Sequence, residues 1–143
     1  MSSQKLARKW EKGQSLVEAV IALGVAVIAI TALINLSLVA VRSAQSGRNN
    51  LTGQNLANQC LEIVRALRDD SWSNLPEEGT YYLSEAGNIE SEESEGEIGI
   101  YTRKLDIGDV AAEKKQVTCT ILWTEGNEEK QVRVATYLTN WNE

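Results

Sequence analysis

A chain of 143 residues with net charge −6, two cysteines and no histidine is long enough for one modest domain and too acidic for a nonspecific grip on nucleic acid, which depends on Lys and Arg neutralising phosphates. Two cysteines without histidine make a metal site unexpected. With no Ser or Cys in a nucleophile motif, general-base chemistry would fall to carboxylates and lysines alone, so neither an enzyme nor a cofactor is expected.

The first thirteen residues carry Lys5, Arg8, Lys9 and Lys12 against Glu11, a net side-chain charge of +3. Residues 19–41 then hold no formal charge. At about 1.5 Å rise per residue they make a helix roughly 34 Å long, enough for a hydrocarbon core of about 30 Å. Basic residues stay on the cytoplasmic side, so the N-terminus is expected inside and the C-terminal bulk outside. A cleaved secretory signal would have an apolar region of only about 7 to 15 residues and a small-residue cut site. This run is longer and passes into more helix-forming sequence, which favours an uncleaved span over a signal removed whole.

Glu18 stands just inside that run. A carboxylate near hydrocarbon is expensive, roughly 2.5 to 3.5 kcal/mol on insertion scales for a central Asp, and its default reading is functional with a partner to be named. The bland alternative is an interfacial Glu reaching the headgroups at a helix N-terminus, where negative charge is favoured. Ala19, Ala22, Ala26 and Ala29 recur at steps of three and four, a small-residue stripe that lets helices approach closely, while Leu23, Val27, Ile30 and Ile34 lie elsewhere around the helix. Alanine is also simply common in such helices.

Lys12-Gly13 followed by Gln14-Ser15-Leu16-Val17-Glu18 and an aliphatic helix resembles the class III signal of type IV pilins and pseudopilins. The resemblance implies that a prepilin peptidase cuts after Gly13 on the cytoplasmic face and, as a methyltransferase, methylates the new terminus at Gln14. It implies that Glu18, fifth residue of the mature chain, serves assembly with other pilin-like subunits after a period in membrane lipid. The family usually begins its mature chain with phenylalanine and often carries a proline where Asn35 stands; this chain departs at both positions. An N-terminal glutamine can cyclise and lose its charge. In a bundle of parallel helices Glu18 of one subunit would approach the α-amino group of Gln14 on its neighbour, a pairing strengthened by low dielectric.

Residues 42–70 turn polar yet keep the helical period. Leu56, Cys60, Ile63, Val64 and Leu67 share one broad face, with Asn58, Glu62 and Arg65 among the polar residues around them. Gly47 and Gly53 weaken the helix by about 1 kcal/mol each relative to alanine, and a bend is expected there. Asp69, Asp70, Ser71 and Pro76 read as the stop. One helix over 15–68 would be roughly 80 Å long.

Residues 80–83, 98–107, 116–124 and 130–140 read as strands of a three- to four-stranded antiparallel meander, the last two forming the best hairpin. Val117, Cys119, Ile121 and Trp123 share one face, as do Val132, Val134 and Leu138. An amphipathic helix covering that face gives an α+β class, a helix spine on a small antiparallel sheet. The organisation is then a leader over 1–13, an apolar helix over 14–41, its amphipathic half over 42–70 and a sheet head over 71–143. The closing Tyr137-Leu138-Thr139-Asn140-Trp141, with Arg65-Ala66-Leu67-Arg68-Asp69 and Trp72, is similar to minor pilins of the PilV type.

Cys60 on the helix stripe and Cys119 on the inner strand face could meet as a disulfide outside the cytoplasm, or remain two buried thiols acting as small hydrophobes. Glu85, Glu90, Glu92, Glu93, Glu95 and Glu97 concentrate in one Ser- and Gly-containing stretch expected to be a solvated, mobile loop, with a calcium site as the sharper alternative. Two function classes follow: a structural pilus or pseudopilus subunit, and a single-pass anchored binding module outside the cytoplasm that never polymerises.

Overall fold

The structure, a computed structural model, describes the backbone of residues 3–140 and the side chains of residues 15–140. It is α+β, with one long N-terminal helix, α1 (Ser3–Asp70), and a six-stranded antiparallel sheet. The chain divides into two compact units, residues 1–45 and 46–143.

In the first unit every described side chain, 15 to 45, is exposed. Two hydroxyls in its apolar run turn inward: Thr31 Oγ1 donates to Val27 O at 2.8 Å and Ser37 Oγ to Leu33 O at 2.9 Å. Each thus satisfies itself against the carbonyl one turn back, leaving no polar demand on the surroundings. Helical structure is uninterrupted at Asn35, Gly47 and Gly53, so the helix breakers in the sequence do not break it.

The second unit packs α1 residues 46–70 on the sheet. α1 stops where Ser71 N bonds back to Leu67 O at 3.1 Å and Ser71 caps a short 3-10 helix, Trp72–Asn74. The strands are β1 (Gly79–Leu83), β2 (Ile89–Glu90), β3 (Glu97–Ile98), β4 (Tyr101–Ala111), β5 (Lys114–Glu125) and β6 (Glu128–Thr139), in spatial order β2-β1-β4-β5-β6 with β3 also on β4.

Two expectations are corrected here. The strand over 98–107 is two strands: Ile98 pairs with Tyr101 across a two-residue turn whose first residue, Gly99, has φ +61°. That conformation suits glycine and sets a tight hairpin. The β5–β6 connection repeats the device with Gly126 at φ +65° between Glu125 and Glu128. The acidic stretch is also not an unstructured loop. Ile89 pairs with Leu83, a 3-10 helix covers Glu93–Gly96, and Gly96 is buried so tightly that a Cβ there would lie 2.9 Å from Tyr82 Cβ and 3.0 Å from Arg103 O. The helix face packs on the sheet as expected, with Cys60 and Val64 buried and Leu56, Ile63 and Leu67 half-buried against the core, and Gly53, Ala57 and Leu61 are buried along it too. Gly53 and Ala57, which carry little hydrophobic signal, mark where the helix lies closest to the sheet.

Strand parity matches the expectation on β5, where Val117, Cys119, Ile121 and Trp123 are all buried. One core cluster joins Cys60, Leu61 and Val64 to Leu83, Leu105, Val117, Cys119 and Leu138. A second joins Ala57 to Tyr101, Ile121 and Trp123.

Candidate functional site

Gly13 and Gln14 lie within α1, but the Gln14 side chain falls outside the described residues, as does Trp141. The chemistry expected of the leader junction therefore begins, in describable terms, with Glu18. Its side chain is exposed at the head of the apolar run. From Glu18 the steps to Ala22, Ala26 and Ala29 are four, four and three along a continuous helix, so the carboxylate stands at the top of the alanine stripe and on the same side of the helix. Ala19 lies at the stripe's edge. The bulky side chains beside it, such as Leu23, Ile30 and Ile34, are also more than half exposed. Ordinary monomeric surfaces do not leave so long an apolar surface bare; it calls for lipid or protein against it. α1 is long and apolar enough to cross a membrane by length and composition.

Cys60 and Cys119 meet in the head as a disulfide with Cα atoms 6.3 Å apart. Both cysteines are fully buried at the helix–sheet interface, bonding the middle of the helix stripe to the inner face of β5. The crosslink spans 59 residues of sequence, and closing a loop of that size removes about 4 kcal/mol of chain entropy from the unfolded state. The head thereby acquires a fixed helix–strand register that its small core would hold less firmly.

Arg103 was not foreseen as a site residue. It occupies an inward position of β4, between Tyr101 and Leu105, and is only 1% exposed. Its Nε donates to Leu83 O at 3.1 Å, its Nη2 to Ser84 O, and its Nη1 approaches Gln59 Oε1 at 3.5 Å. The guanidinium thus ties β4 to the end of β1 and to the helix. Desolvation lowers its pKa, and the nearby Glu85 carboxylate partly opposes that shift; an arginine so perturbed still carries its charge. The available signal was a lone cation at an inward position in an alternating strand.

The glutamate-rich stretch offers no cation cage. Among the described residues no group of three or more His, Cys, Asp or Glu side chains is placed to hold a metal ion. Glu92, Glu93, Glu95 and Glu97 are exposed around the buried Gly96. Scans against protein-family models, curated proteins and solved structures each returned no match.

Proposed function

We propose that the chain is a type IV pilin-like structural subunit, a minor pilin or pseudopilin. It is inserted in the cytoplasmic membrane with its N-terminus inside, cut after Gly13 by a prepilin peptidase, methylated at Gln14 and drawn into a helical filament outside the cytoplasm. The observation that carries this reading is the bare apolar helix surface over residues 15–41 with a single carboxylate, Glu18, at its head. Lipid can cover the apolar part in the precursor, and the helices of neighbouring subunits can cover it in a filament. In the filament the carboxylate also gains a counter-charge, the Gln14 amine of the next subunit. Removing the leader's four bases and one acid takes the net charge from −6 to −9. The exported form is therefore distinctly acidic.

Fractionation tests this reading. When the chain is expressed beside its host's assembly machinery, it should be recovered with sheared surface filaments, or crosslinked to other pilin-like chains. Recovery only as a membrane-bound monomer would support the anchored binding module instead.

A further inference from the structure

We infer that the head carries a binding groove for the C-terminal residue of a peptide with an apolar side chain, received between the end of α1 and the β1–β2 turn. The groove has a volume of about 410 Å³ and is lined on one side by Ile63, Ala66 and Leu67 of α1 and on the other by Ala86 and Gly87 of the turn, with Arg103 at its floor.

Arg103 is the starting point. A guanidinium has five N–H donors, and three are engaged here, the one to Gln59 only at 3.5 Å. Among the described residues no carboxylate stands within ion-pair distance of it. A cation 1% exposed whose acidic neighbour, Glu85, stands beyond ion-pair distance is unfavourable, and its side chain lines the groove. Gln59 is itself exposed and can swing away. A carboxylate arriving in its place would make charge-assisted hydrogen bonds, shorter and about twice as strong as neutral ones.

The rest of the lining selects what the carboxylate is attached to. Ile63, Ala66 and Leu67 form an apolar wall partly open to solvent, suited to an aliphatic side chain. Asp70 and Glu85 on the rim repel any negative charge that does not reach the guanidinium, and they accept an N–H. A carboxylate, an adjacent amide N–H and an apolar side chain together describe the last residue of a peptide. A free fatty acid lacks the N–H donor, and a phosphate lacks the apolar part.

Saturation-transfer NMR on the full chain in detergent, disulfide intact, tests this with N-acetyl-leucine, N-acetyl-leucine amide and leucine as probes. N-acetyl-leucine should receive saturation at its methyls. Its amide, without the carboxylate, should bind about tenfold more weakly, the loss expected for one charge-assisted contact. Ala66→Trp and Ala86→Trp each fill the groove from an exposed position and should abolish the signal while circular dichroism and the disulfide are unchanged. Arg103→Lys, which keeps the charge but loses the fork, should weaken binding of the acid but not of the amide. Equal binding of acid and amide, or an undiminished signal in both tryptophan variants, overturns the proposal. Tighter binding of leucine than of N-acetyl-leucine overturns the peptide terminus in favour of a free amino acid.

Discussion

Gly53 and Trp123 approach so closely that a Cβ on the glycine would lie 3.0 Å from the indole ring. The absence of a side chain at one helix position is what admits the largest residue of the second core cluster, where Trp123 also packs on Tyr101 with ring centroids 5.7 Å apart. Gly53→Leu should therefore destabilise the head by about 1–3 kcal/mol through overpacking. Gly47 has nothing within 4 Å of its would-be Cβ, so Gly47→Ala should stabilise by about 1 kcal/mol through helix propensity. Urea denaturation of the two variants separates a packing role from mere flexibility, because only a packing role gives them opposite signs.

Removing the disulfide with the double substitution Cys60→Ala and Cys119→Ala should cost about 2–4 kcal/mol of stability. Wild type measured in reductant should fall to nearly the same denaturation midpoint. If reductant has no effect on wild type, the crosslink is not contributing to the stability of the head.

Arg103→Met replaces the buried guanidinium with an apolar side chain of similar length and leaves the buried Leu83 carbonyl without its side-chain donor, whereas Ser84 O keeps the Gly87 N–H at 3.0 Å. That stranded acceptor costs about 1–3 kcal/mol, offset in part by the relief of burying a cation with no carboxylate at ion-pair distance. The expected net loss is about 1 kcal/mol, and limited proteolysis should find its first new cuts in the β1–β2 turn. Cuts elsewhere would show that Arg103 does not pin that turn.

Glu18→Ala should leave the amount of membrane-inserted precursor unchanged and reduce recovery in filaments by about tenfold, the equivalent of ~1.4 kcal/mol of contact. Glu18→Asp, with a shorter reach, should fall between. Undiminished incorporation of the alanine variant would count against pairing between Glu18 and the Gln14 amine.

Much of the fold could be read in the sequence because two periodicities dominate it. Alternation placed Cys119 and Trp123 on the inner side of β5, and the persistence of helical spacing past Val41 indicated one helix leading into a sheet. The turn at Gly99 was hidden because residues 98–107 are continuously strand-forming, and a two-residue hairpin needs no polar break when glycine supplies the positive φ. The tight helix line escaped notice because Gly53 and Ala57 carry little hydrophobic signal, although closeness of approach is what buries them. Arg103 was missed for a related reason: charge argues for solvent in general, and only the carbonyls of a distant turn make its burial tolerable. The 89–98 stretch looked like a loop by composition, whereas its order rests on long-range contacts of Gly96 that no local pattern reveals.

The proposed processing makes the first thirteen residues a leader and Gln14 the start of the working chain. Intact-mass and N-terminal peptide mass spectrometry of the protein isolated from cells that carry a prepilin peptidase measures this directly. A chain starting at Gln14 and heavier by one methyl group on its amine is the expected product. A chain retaining the leader from Met1 would contradict it.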